Sequence, residues 1–265
     1  MKIVLDAGHG KNTPGKRCPD DSMREWDFNH TVAQYAAHEL ADYEGVQTKF
    51  THDTTPSRDV PLKERTNTAN AWGADCFVSI HANALTGQWG NAKGIETFTF
   101  TTKSKDSVAL ANAVHSKLIA KTGLFNRGVK SANYHVLRES HMTAILVECG
   151  FMDNRDEAAL LKSDSYRRKC AAAIVAGLVA NYGLKTKKKK PVTPTPPPTP
   201  DKPEVSKMEK WKIDMANTAI TSLAKKGVLS DPEGWKKKVA NGEAEKDLAW
   251  LIFYLADSAS NLPKK

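Results

Sequence analysis

The sequence predicts an α/β fold: a twisted, mostly parallel sheet with helices on both faces, plus a small all-α module after a proline-rich linker. Two observations support this prediction. Strand-like and helix-like patterns alternate through residues 1–184, which is typical of a parallel sheet covered by helices. A proline-rich stretch over residues 185–203 ends the alternation, and only helical patterns follow over residues 204–265.

The first domain contains five short runs that are rich in β-branched and apolar residues, as strands are. They are Lys2–Asp6, Val46–His52, Cys76–His81, Ile95–Phe100 and Thr143–Glu148. Patterns with helical spacing lie between these runs and after the last of them. They are Met23–Tyr43, Leu62–Trp72, Ser107–Lys121, Asp156–Leu161 and Ser165–Tyr182.

Residues 185–203 begin with lysines and continue as a run of prolines. Proline at this density cannot join a helix or a central strand, so we expect an extended, solvated spacer. In the module beyond it, Ser206 and Glu209 form a capping box that starts one helix. Asp231 is expected to cap a second helix, with Pro232 in its first turn.

The last expected helix carries three aromatic residues, Trp250, Phe253 and Tyr254, on the side opposite its leucines. A helix that is apolar nearly all round must be covered by something. Either a ligand or a second copy of the chain would cover it, so the module is expected to bind a ligand or to self-associate.

Charge and hydropathy exclude two kinds of partner. The formal net charge is +9, but the linker alone holds six basic residues and one acidic residue. A nucleic-acid-binding face would instead need basic residues clustered on a folded surface, so we expect no nucleic-acid partner. No apolar stretch approaches the ~20 residues of a membrane span.

The cysteines and the first residues indicate where the chain is made. Cys18, Cys76, Cys149 and Cys170 are widely spaced and include no CxxC pair. We therefore expect four reduced thiols and synthesis in a cytosol. Because Asp6 interrupts the first apolar run early, we expect no signal peptide and no export by the ordinary secretory route.

Two histidines follow strand-like runs at corresponding ends. His9 lies between two glycines in "IVLDAGHG", and His81 ends the run in "CFVSIHAN". In an open parallel sheet the carboxyl ends of the strands face the ligand crevice, so both imidazoles are expected there. Neutral imidazole nitrogens are good zinc ligands, and two such histidines at matching strand ends favour a metal site over two unrelated polar residues.

Three glutamates are candidates for the remaining roles. Glu25 is the best third ligand, but Ser22-x-x-Glu25 is also a capping box, and the spacing leaves both interpretations open. Glu148 is the only charge in the apolar run "AILVECGF", where an unpaired carboxylate is costly to bury, which favours a functional role. Glu96 is a rival, although the alternation in "GIETFTF" predicts that it faces solvent.

The ordered motifs "IVLDAGHG", "LKERTNTAN", "ADCFVSIHANA", "GIETFTF" and "AILVECGFMDNRDEAALL" resemble the zinc-dependent N-acetylmuramoyl-L-alanine amidases of the amidase 3 family. The resemblance covers nearly all of residues 1–183. It implies that zinc is held by His9, Glu25 and His81, and that Glu148 is the catalytic glutamate. It also implies peptidoglycan as substrate, with Asn83 and Arg138 as expected substrate contacts.

A wall substrate combined with cytosolic synthesis resembles a phage endolysin, which waits in the host cytoplasm and reaches the wall of a Gram-positive cell after release. In that setting the ligand of the helical module would be a wall polymer. A bacterial autolytic or sporulation-related amidase is the alternative role. A carboxypeptidase or sugar deacetylase is an alternative activity. A non-catalytic wall-binding protein is disfavoured, because the chain has all four polar residues of the expected site, namely His9, Glu25, His81 and Glu148.

Overall fold

The computed structural model describes residues 1–187 apart from Pro56 and Lys103, together with Ile220 and residues 231–240. The chain divides into two compact units, Met1–Lys190 and Pro191–Lys265. Most of the helical module, including the expected helices at Ser206 and Trp250, lies outside the described residues.

The first unit is built on one sheet of six strands. The strands are β1 (Lys2–Ala7), β2 (Gln47–Phe50), β3 (Cys76–Asn83), β4 (Ile95–Thr99), β5 (Asn126–Ser131) and β6 (Thr143–Phe151). Their order is β2-β1-β3-β6-β4-β5, and β4 pairs with β6 in antiparallel orientation while the other neighbours are parallel. The predicted, mostly parallel sheet is confirmed.

In the described part of this unit, six helices accompany the sheet. They are α1 (Glu25–Leu40), α2 (Leu62–Trp72), α3 (Lys105–Thr122), α4 (His135–Arg138), α5 (Arg155–Lys162) and α6 (Asp164–Tyr182). Side chains of α1, α3 and α6 join Ile3 and Leu5 of β1 in the larger core cluster. Val4, which points to the other face, joins side chains of α2 and α4 in the smaller one. Helices therefore cover both faces, as predicted.

Strand β5 and helix α4 were not predicted from the sequence. Strand β5 reads Asn-Arg-Gly-Val-Lys-Ser and lies at the edge of the sheet, with Val129 as its one large apolar residue. An edge strand of this composition has no period-2 apolar signal. Helix α4 spans only four residues, which is too short to produce a helical pattern.

The start of the expected linker belongs to the first unit. The backbone N–H of Glu44 donates to the carbonyl of Lys185 at 2.8 Å, and the N–H of Lys187 donates to the carbonyl of Asp42 at 2.7 Å. Residues 185–187 are thus held beside the loop that precedes β2.

In the second unit, helix α7 (Pro232–Ala240) begins where the sequence predicts a cap. The backbone N–H of Gly234 donates to Oδ1 of Asp231 at 2.9 Å, and Pro232 is the first helical residue. Among the described residues, no helix combines the length and the hydropathy needed to cross a bilayer. The four cysteines are buried free thiols.

Candidate metal centre and active site

The polar residues singled out in the sequence meet at the carboxyl ends of three neighbouring strands. His9 follows β1, His81 lies near the end of β3, and Glu148 lies in β6 directly opposite His81 in the parallel ladder. Glu25 is the first residue of α1. Because β1, β3 and β6 are adjacent in the sheet, topology alone brings these groups to one crevice.

The two glycines beside His9 are explained by close contacts. A Cβ at Gly8 would lie 2.0 Å from Cε1 of His81, and a Cβ at Gly10 would lie 2.6 Å from the Cα of Asp59. His9 itself has a φ of 62°, a left-handed conformation that is uncommon for a residue with a side chain. The Gly-His-Gly sequence therefore lets the chain pass against the imidazole of His81 while the histidine between the glycines turns into the crevice.

The carboxylate of Glu25 lies between the two histidines. Its Oε1 is 2.9 Å from Nδ1 of His81, and its Oε2 is 3.4 Å from Nε2 of His9. The helix is capped otherwise, because the N-cap residue is Arg24, whose backbone N–H donates to Oδ2 of Asp27 at 3.3 Å. The carboxylate of Glu25 thus faces the histidines and does not cap its own helix.

These three residues could hold a metal ion. One ligand atom from each of His9, Glu25 and His81 lies within 4.8 Å of the other two. Two imidazole nitrogens and one carboxylate oxygen are a donor set that suits zinc and leaves a fourth position open for water or substrate. The donor set present in the chain therefore fits the zinc that the resemblance implies.

The protonation of His9 and Glu25 suits a cation, whereas His81 holds its proton more tightly than a free imidazole. Burial lowers the pKa of His9 to about 4, so its imidazole is neutral near pH 7. Burial alone would raise the pKa of Glu25, but the hydrogen bond and charge of His81 hold it at about 2. Burial alone would lower the pKa of His81, but its hydrogen bond with Glu25 outweighs burial and raises it.

Glu148 brings a further carboxyl group to the crevice. Its Oε2 is buried and has no hydrogen-bond partner among the described residues. Burial raises the pKa of Glu148 to about 8; the charges of Glu25 and Glu96 act in the same direction, while that of His81 acts against them. A carboxyl group poised near neutral pH can both accept and return a proton.

Glu96 does not face solvent, so that expectation was wrong. It is 6% exposed. Its Oε2 accepts from Nε of Arg127 at 3.0 Å and also from Nζ of Lys130. Burial alone would raise its pKa, but the hydrogen bonds from Lys130 and Arg127 lower it. The alternation misleads because β4 lies between β6 and β5 and is covered on both faces, and the neutralising cations come from the unpredicted β5.

The two expected substrate contacts differ in position. Asn83 lines the crevice, and its side chain is engaged there: Nδ2 donates to Oε1 of Glu96 at 2.6 Å, and Oδ1 accepts from its neighbour's backbone N–H. Arg138 is not among the lining residues. Its guanidinium instead contacts Glu139 and Asn133 at 2.7 and 2.6 Å.

The crevice is an open cavity of about 640 Å³. Its polar floor carries His9, His81 and Glu148, and its walls include Leu62 and Tyr134. The exposed fractions of Leu62 and Tyr134 are 52% and 41%, so apolar surface is available beside the polar floor. A cavity of this size and composition suits a ligand with polar groups at its centre and apolar faces around them.

Three buried residues near the cavity floor were missed: Asp6, Arg65 and Ser79. Arg65 is 1% exposed and forms an ion pair with Asp6 at 2.8 Å. The signal for Asp6 was present in the sequence, because it is the only acidic residue in its apolar run, just as Glu148 is in β6. Arg65 gives no such signal, since a cation on a polar helix is usually solvated.

A proton-accepting carboxyl group beside a possible metal site is the arrangement that a metal-dependent hydrolase requires. Comparison with known proteins supports an assignment within that class. Residues 3–180 match the model of the amidase 3 family, described as N-acetylmuramoyl-L-alanine amidase. The chain belongs to this family, and its enzymatic class is N-acetylmuramoyl-L-alanine amidase, acting on peptidoglycan of the cell wall.

Two relatives and one solved structure illustrate the similarity. The chain is 35% identical over 186 residues to a sporulation-specific N-acetylmuramoyl-L-alanine amidase of Bacillus subtilis, covering 70% of this chain and 69% of that one. It is 36% identical over 191 residues to an endolysin of Bacillus phage SPP1, with 70% and 67% covered. The catalytic domain of the amidase CwlV from Bacillus (Paenibacillus) polymyxa is 30% identical with a TM-score of 0.65, covering 70% of this chain and 99% of that domain.

Proposed function

We propose that the chain hydrolyses the amide bond between N-acetylmuramic acid and L-alanine in a zinc-dependent reaction, with His9, Glu25 and His81 as ligands and Glu148 as catalytic acid and base. Zinc bound there would lower the pKa of water towards ~7 and polarise the amide carbonyl. The observation that carries the proposal is the buried carboxyl oxygen of Glu148, which lacks a hydrogen-bond partner within the described part of the chain and belongs to the residue opposite His81.

In the proposed reaction, Glu148 carries out both proton transfers. Glu148 accepts a proton as water attacks the carbonyl carbon, and it then gives that proton to the nitrogen of the departing L-alanine. An amine is a poor leaving group unless it is protonated, so the second transfer matters as much as the first. The raised pKa of Glu148, about 8, suits the second transfer. The charge of a bound cation would favour the carboxylate form that the first transfer needs.

The direct test is Glu148→Gln, which removes the proton acceptor at nearly constant volume. We expect turnover to fall by roughly 10²–10⁴-fold while the bound zinc stays at the wild-type level. Glu44→Gln is the matched control, since Glu44 is exposed and precedes β2, on the side of the sheet away from the carboxyl ends of the strands. Zinc is measured by elemental analysis and turnover by release of soluble wall fragments. Loss of zinc in the Glu148→Gln variant would make Glu148 a ligand and overturn its assigned role.

The products separate this activity from a carboxypeptidase or a deacetylase. We expect new amino termini that belong to alanine, with no release of a terminal D-amino acid or of acetate. Labelling of the new amino groups followed by hydrolysis identifies the terminal residue. Any product pattern without amino-terminal alanine contradicts the proposed bond specificity.

For the biological role, we propose a phage endolysin that cuts the wall of a Gram-positive host after release from its cytoplasm. The endolysin of Bacillus phage SPP1 is among the similar proteins, and it supports this role. The sporulation-specific relative supports the alternative, a bacterial sporulation or autolytic amidase. Expression together with a holin discriminates between them, because an endolysin lyses the host only when the holin is present.

The module over residues 204–265 is proposed to bind a wall polymer or a second copy of itself. The support is the sequence pattern of its last expected helix, where Trp250, Phe253 and Tyr254 oppose the leucines. We expect the full chain to sediment with purified walls and residues 1–190 to sediment less. Light scattering on both reports self-association. Equal sedimentation with monomeric masses would leave the module with neither role.

A further inference from the structure

Asp6 and Arg65 form an ion pair that is removed from water. Each side chain is 1% exposed, and Nη1 of Arg65 lies 2.8 Å from Oδ1 of Asp6. A pair buried this deeply loses much solvation, and apolar residues of similar volume often stabilise a fold equally well or better. Stability alone therefore explains the pair poorly, and its other hydrogen bonds indicate what it organises.

On one side the pair holds the backbone of His9. Nη2 of Arg65 donates to the carbonyl oxygen of His9 at 2.9 Å, and Nη1 also donates to the carbonyl oxygen of Ala7. His9 has a φ of 62°, which a residue with a side chain adopts only when its surroundings enforce it. The Arg65 guanidinium fixes the carbonyls on either side of Gly8, while Nδ2 of Asn29 donates to the carbonyl of Gly8 itself at 3.0 Å. Arg65 thereby helps to aim the imidazole of His9 at Glu25.

On the other side the ion pair is connected to the ring of His81 through the hydroxyl group of Ser79. Oδ2 of Asp6 accepts from Oγ of Ser79 at 2.7 Å, and Oγ of Ser79 lies 3.2 Å from Nε2 of His81. An ion-paired carboxylate has no proton to donate, so the serine must use its own proton on Asp6. The serine oxygen can then only accept from Nε2–H of His81, so Nδ1, which lies 2.9 Å from Oε1 of Glu25, is the nitrogen that would face a metal ion once its own proton has left.

We infer that Asp6, Arg65 and Ser79 are positioning residues that set both histidines of the metal centre in ligand geometry before a metal binds. The inference rests on the proposed zinc ligands. Outer partners of this kind fix the tautomer and orientation of ligating histidines, and their loss typically weakens metal binding roughly 10–100-fold.

The chain offers a closely matched pair of variants for the test. Asp6 accepts one hydroxyl proton from Ser79 and another from Thr51, the latter at 2.8 Å. Both hydroxyl residues are buried. The Thr51 hydroxyl bonds to Asp6 and not to His9 or His81, so this residue serves as the control. Ser79→Ala and Thr51→Val each remove one hydroxyl from the same carboxylate.

Zinc affinity of the full chain is measured by competition with a chromophoric chelator. We expect Ser79→Ala to weaken zinc binding roughly 10–100-fold and Thr51→Val to leave it near the wild-type value. Equal affinities for the two variants would overturn the inference. A wild-type chain that binds no zinc would instead overturn the proposed metal centre, so the two failures are distinguishable.

A second readout needs no metal. In the metal-free protein, nitrogen-15 NMR should show a proton on Nε2 of His81 that exchanges slowly with water in wild type and in Thr51→Val, because Ser79 accepts from it. In Ser79→Ala this proton loses its acceptor and should exchange faster. Thermal unfolding of both metal-free variants checks that they are folded. If Ser79→Ala does not fold, Ser79→Thr keeps the hydroxyl and should retain the slow exchange. Fast exchange of this proton in a folded Ser79→Thr variant, or in wild type, contradicts the relay.

Discussion

Two pairs of histidines lie near the end of β1, and they differ in the group that the histidines of each pair contact. His9 and His81 both approach the carboxylate of Glu25, at 3.4 and 2.9 Å. His30 and His52 approach each other, with Nδ1 of His30 at 3.0 Å from Nε2 of His52. The first pair is a possible metal site, whereas the second is a hydrogen-bonded element of the core.

The difference lies in how the ring nitrogens are used. The backbone N–H of Ala7 donates to Nδ1 of His52 at 3.0 Å, so the proton of neutral His52 is on Nε2 and is donated to His30. Both nitrogens of His52 are therefore engaged with the protein. In the other pair, Nε2 of His9 and Nδ1 of His81 both face the carboxylate of Glu25, which is itself a possible metal ligand. Proximity of two histidines is thus insufficient; their nitrogens must also converge with a further ligand atom.

Removing both histidines of the proposed metal centre should have the largest effect. We expect His9→Ala combined with His81→Ala to abolish zinc binding and to reduce wall hydrolysis to background, because one carboxylate cannot hold the metal alone. His52→Asn, which keeps an acceptor for Ala7, should bind zinc like wild type. Elemental analysis and a wall-lysis assay measure both. Full zinc occupancy in the double variant would contradict the assignment of this pair.

Gly8→Ala should disrupt the proposed metal centre although it leaves all three proposed ligands in the sequence unchanged. The added Cβ would lie 2.0 Å from Cε1 of His81, so the ring must move. We expect zinc affinity to fall by at least the roughly 10–100-fold seen when outer partners of a metal site are lost. Gly90→Ala is the control, since a Cβ there meets nothing nearer than 3.7 Å. Chelator competition gives both affinities, and equal values would refute the close-approach argument.

The smallest expected effect concerns stability and pH at the second pair. Burial lowers the pKa of His52 from 6.5 to about 4, so the unfolded chain binds a proton that the folded chain does not. Its contribution is present above pH 6.5 and is lost as the pH falls towards about 4, by about 3 kcal/mol in total. His52→Asn removes this dependence and flattens the profile. Urea unfolding of both proteins between pH 6.5 and about 4 tests this prediction. If the free energy of unfolding fell equally with pH in both proteins, the contribution assigned to His52 would be contradicted.

Much of the site could be predicted because its residues occupy corresponding places in the sequence pattern. His9, His81 and Glu148 each follow an apolar run in the sequence, at or near the carboxyl half of β1, β3 and β6, and a parallel sheet gathers such positions on one side. Glu25 could not be decided from spacing, because a capping box and a ligand need the same residue there. Only its contacts with His9 and His81 separate the two.

The wrong prediction for Glu96 and the failure to single out Arg65 have a common physical cause. Glu96 was expected in solvent because its neutralising partners, Arg127 and Lys130, come from an edge strand with no apolar alternation. Arg65 was missed because burial of an arginine depends on acceptors supplied by distant parts of the chain, here the Asp6 carboxylate and the carbonyl of His9. Local pattern carries no information about partners of that kind.

Because His81 and Glu148 lie opposite each other in β3 and β6, the backbone sets the distance between the proposed ligand and the proposed base. Paired strands lie about 4.8 Å apart, and a slip of one residue would turn Glu148 to the opposite face of the sheet. The register shifts only after His81, so the strands diverge beyond the pair without disturbing it. The distance between the proposed metal site and the carboxylate at position 148 can therefore change only through the length of the side chain. In a Glu148→Asp variant the carboxylate would lie one methylene group farther from the site, and the strands cannot move to compensate.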